Sequence, residues 1–293
     1  MSDPDSEPPP AMDPSEARRD RARASLLGLA CGDALGRPVA GEPAAAVRDR
    51  YGRVTEMLGA DGRRAGTTTA PTAAAVAAAD RLLDRSGGPQ SIPPTGSGSA
   101  TDAASLLAGV PYGVLTGDAE DRAAAAAEGA ASTGAAVGAD ATEPAAALAV
   151  IVGELVDGES VADAVSTAMA VAVARDAPVT LRESLSVVGD RGAVAIDPHG
   201  DRSATFETAL HEAVAADDAE EAIVSAVSRG GNASALGAVA GAVAGARFGT
   251  DADAIPPRWL NELDATEEYA ALADALVESE VAALIGTDVD TDL

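Results

Sequence analysis

Lysine is missing from this chain. All 20 basic residues are arginines, set against 47 acids, for a formal net charge of -27. With no basic patch to displace counterions, nucleic acid is excluded as a partner. An acidic, lysine-free surface fits a protein of a high-salt cytoplasm, such as that of a halophilic archaeon. In molar salt the Debye length shrinks to roughly 3 Å, which screens self-repulsion. The other reading is an ordinary acidic protein of a GC-rich genome. Cysteine is nearly absent too: Cys31 is the only one, so no internal disulfide and no cysteine zinc cluster is open to the chain. Cys31 lies in an apolar stretch, which points to a buried structural thiol. Aromatics make up 2% of the residues. Long apolar runs are lacking as well: residues 233–246 form the longest, too short and too rich in Ala and Gly to span a bilayer. Residues 1–14 are acidic and Pro-rich, unlike a secretory leader, so a cytoplasmic location with no membrane partner is expected.

What the chain does have is alanine, valine and leucine, within a hydrophobic fraction of 47% over 293 residues. Ala-rich windows favour helix. The spacing predicts an all-α fold, a single multi-helix domain of roughly ten helices with no linker or repeat. Residues 1–15 are expected to be a disordered acidic tail, residues 16–285 the domain, and residues 286–293 a second acidic tail. Helices are expected from about Ser15 to Pro38, over 72–83, around 102–115, from Thr142 to Gly158 and from Ser160 to about Ala174. Further helices are expected over 203–215, 219–228, 232–248 and 266–284. Thr142-Glu143-Pro144 reads as a helix start, with a capping hydroxyl, an acid and a first-turn proline. Within residues 182–201 a short β-like or irregular section is expected at 193–196 and a loop at Pro198-His199-Gly200. Glycines at 237, 241, 245 and 249 recur every four residues and mark one helix face for close packing.

Chemistry is sparse. His199 and His211 stand alone, and no nucleophile elbow, Walker loop or dinucleotide fingerprint is present. Gly96-Ser97-Gly98-Ser99 is Gly-rich, which suits a surface linker or a phosphate-binding loop. The acid pairs Asp217-Asp218 and Glu220-Glu221 read as solvated helix-start charges.

The order of motifs says more. Gly28-Leu-Ala-Cys-Gly32-Asp33-Ala34-Leu35-Gly36-Arg37-Pro38-Val39 resembles the opening G-D-A-x-G-x-P-x-E of the ADP-ribosylglycohydrolase family. Gly230-Gly231-Asn232-Ala233-Ser234-Ala235 and the Ala/Gly stretch after it resemble that family's G-G-D-T-D-T and its next helix. Ile255-Pro256-Pro257-Arg258-Trp259 is similar to its I-P-x-x-W. The resemblance covers about residues 20–278 and is of the dinitrogenase reductase-activating glycohydrolase type. It implies an all-α orthogonal bundle and two magnesium ions held by carboxylates of two distant motifs.

The departures fall on those carboxylates. The family's T-D-D-T falls on Thr69-Ala70-Pro71-Thr72, with both acids gone. Asn232 and Ser234 stand at aspartate positions, Ala235 at a threonine ligand and Ala40 at the glutamate. The central G-N-G-x-x-M-R-x-x-P survives only as Ser105-Leu106-Leu107-Ala108 leading to Pro111 and Gly113, and the mid-chain histidine is missing near 132–138. Mg2+ requires hard oxygen ligands, usually carboxylates, so Thr69, Ala70, Pro71, Asn232, Ser234 and Ala235 are read as vestigial metal positions. No cofactor is expected. Acids remaining nearby are Asp33, Glu42, Asp61 and Asp102. Asp33 and Glu42 are the catalytic candidates; Gly96, Ser97, Gly98, Gly230, Gly231, Asn232 and Ser234 are the ligand-binding candidates. The function expected from the resemblance is that of a degenerate glycohydrolase that binds an ADP-ribose-like ligand or a partner. The alternatives are an active hydrolase of ADP-ribosylated substrates using substitute acids, or a scaffold with no ligand.

Overall fold

A computed structural model describes residues 12–86, 104–132, 138–188 and 202–280. Their order is α1 (Pro14–Gly36), a 3-10 turn (Arg37–Val39), α2 (Ala44–Tyr51), α3 (Ala70–Ser86), α4 (Ala104–Leu107), α5 (Val110–Val114), α6 (Ala119–Ala131), α7 (Ala139–Asp157), α8 (Val161–Ala174), α9 (Val179–Ser186), α10 (Arg202–Ala215), α11 (Ala219–Val227), α12 (Ala233–Phe248), α13 (Pro257–Glu262) and α14 (Thr266–Val277). Among the described residues only isolated β-bridges occur, and no helix is long and apolar enough to cross a membrane. The all-α architecture expected from composition is the one observed.

The bundle is built on α1 and α12. From Ala235 to Ala246 every residue of α12 is buried, as a helix that is apolar all round must be. Its glycines meet those of α1. A Cβ on Gly28 would overlap the Gly241 carbonyl, one on Gly32 the Gly237 carbonyl, and one on Gly36 the Ala233 carbonyl. Reciprocally, Gly237, Gly241 and Gly245 sit on the carbonyls of Gly32, Gly28 and Ala24. One partner number rises as the other falls, in steps of four, so the two helices run antiparallel with their backbones touching. The close-packing face read from the sequence is real, and its partner is the glycine series of α1. The Ser25 hydroxyl locks the pair by donating to the Ala242 carbonyl at 2.9 Å. Around this axis lie α7, α10, α11 and α14.

Several boundaries differ from expectation. Helix α1 begins at Pro14, capped by the Asp13 carboxylate, which accepts from the Ser15 N–H at 2.9 Å; Met12 to Ser15 are therefore not all tail. Helix α7 begins at Ala139, so Pro144 lies inside the helix rather than in its first turn. The proline has no N–H for the Asp140 carbonyl, and that carbonyl instead accepts from Arg202 at 3.3 Å. Helix α14 ends at Val277, well short of 284. Helices α2, α6, α9 and α13 had no assignment from sequence. The β-like reading at 193–196, the loop at 96–99, His199, Asp102 and the tail from 286 fall outside the described residues.

Candidate functional site

Asp33 occupies the last turn of α1 and is fully enclosed. Its carboxylate faces the start of α3. Oδ2 accepts from the Thr69 N–H at 2.7 Å, the Thr72 N–H at 3.2 Å and the Thr72 hydroxyl at 2.6 Å. Oδ1 accepts from the Thr69 hydroxyl at 2.5 Å. A helix leaves its first N–H groups without internal partners and carries positive partial charge there. A carboxylate supplied from another helix satisfies both needs. Burial pushes the Asp33 carboxyl above its ordinary range, while the four donors from Thr69 and Thr72 pull the other way and offset only part of the shift.

The second motif reaches the same residue. The Ser234 hydroxyl, in the first turn of α12, donates to the Asp33 carbonyl at 3.2 Å. The Asn232 amide donates to the Thr205 hydroxyl of α10 at 3.1 Å. One turn earlier on α10, Arg202 donates to the Ser105 hydroxyl at 2.9 Å. Gly230 and Gly231 both have positive φ, 69° and 57°. They clasp the loop after α1: the Gly41 N–H donates to the Gly231 carbonyl at 2.7 Å, and the Gly231 N–H to the Glu42 carbonyl at 2.8 Å.

Thr69, Thr72, Ser234 and Asp33 are thus brought together, with Asn232 and Thr205 at one side. Glu42 contributes its backbone; its half-exposed carboxylate lies 3.8 Å from Arg50. Ala70 and Pro71 open α3 and Ala235 is buried in α12. Gly96, Ser97 and Gly98 fall outside the described residues. Asp61 is exposed with a positive φ of 52°. Cys31 is buried, and burial drives its thiol well above the usual range, so it is unsuited to serve as a nucleophile. Among the described residues no three His, Cys, Asp or Glu side chains gather where a metal ion could be held. Sequence reading missed Arg202 and Thr205. The signal for Arg202 was Pro144, whose missing N–H leaves the Asp140 carbonyl for a cation to find.

The family model described as ADP-ribosylglycohydrolase matches residues 14–94 and 88–283. This chain belongs to the ADP-ribosylglycohydrolase family. A solved structure titled "ADP-ribosylglycohydrolase-related protein complex" is similar to it, with 28% sequence identity and a TM-score of 0.72, over 89% of this chain and 98% of that one. No curated protein matched it in a sequence comparison. In this ADP-ribosylglycohydrolase-family chain, the segments that resemble the two family motifs, 69–72 and 230–235, meet at one buried residue: Thr69 and Thr72 at the Asp33 carboxylate, Ser234 at the Asp33 backbone carbonyl. That carboxylate is already shared among two hydroxyls and two backbone N–H groups.

Proposed function

We propose that this ADP-ribosylglycohydrolase-family chain binds an ADP-ribose-like ligand without performing magnesium-dependent hydrolysis. The observation that carries this reading is the engagement of both Asp33 oxygens by Thr69 and Thr72. Mg2+ favours near-octahedral oxygen ligation that includes carboxylates, and two close ions need several negative groups to offset their charge. Among the described residues the donor set at this place is one committed carboxylate, the hydroxyls of Thr69, Thr72 and Ser234, and the Asn232 amide. That set does not suit a pair of magnesium ions. Anion binding has separate support. The Gly230-Gly231 turn delivers the chain into α12, whose first-turn N–H groups a helix cannot pair internally.

Two titrations in molar KCl test the two halves of the reading. Calorimetry with MgCl2 is expected to give no site tighter than millimolar; micromolar affinity sinks the metal-free assignment. Thermal unfolding with ADP-ribose is expected to show a concentration-dependent rise in Tm. No rise would leave a fold without this ligand and refute the binding half.

A further inference from the structure

Helix α8 is a ridge with a groove on each side. After Asp163 it carries no charge to its end, in a chain of net charge -27. Ala162, Ser166, Ala170 and Ala174 are exposed along its crest at steps of four, the spacing that shares one helix face. Among the described residues three large hydrophobic side chains are exposed, and two of them belong here. Val173, at 55%, lies near the end of the crest, and Val179, at 59%, opens α9. Depletion of charge on an accessible apolar face is what marks the centre of an interface. The groove toward α6 has two acids, Asp118 and Glu120, in its lining. The groove toward α9 and the end of α10, of about 550 Å³, has no charged residue in its lining; its walls are mainly Val161, Val165, Met169, Leu185, Val188 and Val214.

An uncharged ridge beside an uncharged groove is self-complementary. Under a two-fold axis the ridge of each copy enters the groove of the other, as helices pack ridge into groove within a core. The charges at the two ends of α8 fit the same axis. Asp163 and Arg175 each lie six residues from Met169. Antiparallel copies of α8 that meet at Met169 therefore set Asp163 opposite the partner's Arg175, and Val165 opposite the partner's Val173. Asp163 is exposed. Arg175 is held by Glu143 at 2.7 Å, yet its side chain keeps 26% of its exposure and can take a second acid. The same orientation sets the positive start of each helix beside the negative end of the other. A cationic partner would instead favour the groove that holds Asp118 and Glu120. In molar salt the Debye length is roughly 3 Å, so the like net charge of two copies does not keep them apart.

We propose that two copies of this chain associate through α8, antiparallel about a two-fold axis at Met169, each ridge seated in the other's groove between α8 and α9. The test is the mass of the full chain in molar KCl, followed by light scattering across the micromolar range. A rise toward twice the chain mass with concentration is expected. Val173→Glu changes an exposed position and is expected to raise the dissociation constant several-fold, with circular dichroism matching the parent. Ala45→Glu, on the exposed side of α2, is expected to leave it unchanged. A second measurement reads the axis itself. The native Cys31 is buried, so mild oxidation of Met169→Cys is expected to link two chains several-fold faster than oxidation of Ala45→Cys. A chain that stays monomeric throughout, a dimer that Val173→Glu does not weaken, or equal linking by the two introduced cysteines overturns the proposal.

Discussion

Replacing Gly32 or Gly237 by alanine tests the central contact of the bundle. In each case the new Cβ strikes the carbonyl of the opposite glycine, a backbone atom that cannot swing to another rotamer. Overpacking of a tight core costs about 1–3 kcal/mol, and the unyielding neighbour places this case near 3. Alanine in a helix returns about 1 kcal/mol over glycine. The net expectation for either variant is therefore a loss of about 2 kcal/mol. The double variant should lose less than the sum, since a separation of the helices that relieves one clash makes room for the other. Gly41→Ala is the control: a Cβ there meets nothing within 4 Å, and its positive φ of 85° alone should cost about 1 kcal/mol. Urea unfolding at fixed KCl, monitored by circular dichroism and by the fluorescence of the buried Trp259, gives all four values. If Gly32→Ala and Gly237→Ala stay within about 0.5 kcal/mol of the parent, the α1–α12 backbone contact is not as described.

Thr72→Val deletes one hydroxyl donor to Asp33 at nearly constant shape and should cost about 1.5–3 kcal/mol, the range for a hydrogen bond to a charged group. Because the Asp33 carboxyl is raised in the fold, its contribution is fully present below the ordinary carboxylate range and is lost as pH rises through the folded value. Thr72→Val removes a lowering influence and raises that value further, so its penalty should grow as pH climbs from about 4. A penalty that is flat with pH in urea titrations contradicts this. We also propose that the fold is adapted to high salt. Urea midpoints should rise steadily as KCl increases from about 0.1 M to above 1 M, where the Debye length falls from about 10 Å to about 3 Å. Midpoints that do not move would assign the charge no such role.

Much of the fold was legible because alanine windows, caps and glycines are local signals. Ser160 caps α8 by accepting from the Asp163 N–H, and Gly158 closes α7 in the left-handed conformation, both at the expected places. The four-residue glycine spacing announced a close contact, but periodicity on one helix cannot name the partner. Pro144 misled, because a proline in a first turn and a proline whose orphaned carbonyl is rescued by Arg202 look alike in one dimension. The short helices α2 and α13 are held by distant contacts, such as the Trp259 indole donating to the Thr55 carbonyl at 2.9 Å, and so leave little local pattern. At the site, the motif order placed Asp33, Thr69, Thr72, Asn232 and Ser234 in one family frame. That Asp33 caps α3 was not legible, because a helix cap supplied across 36 positions has no sequence signature.

The touching glycines also bear on the order in which the chain can mature. Ser25 and Ala242 are bonded across 217 positions of sequence, so the central helix pair closes a loop of about three-quarters of the 293-residue polypeptide. At a ribosomal pace of roughly 5–20 residues per second, the first helix waits on the order of ten seconds or more for the helix against which its glycines pack. Topologies dominated by such remote pairings fold slowly. The early helices must therefore remain uncommitted, or be sheltered, until more than four-fifths of the chain, through Phe248, has emerged.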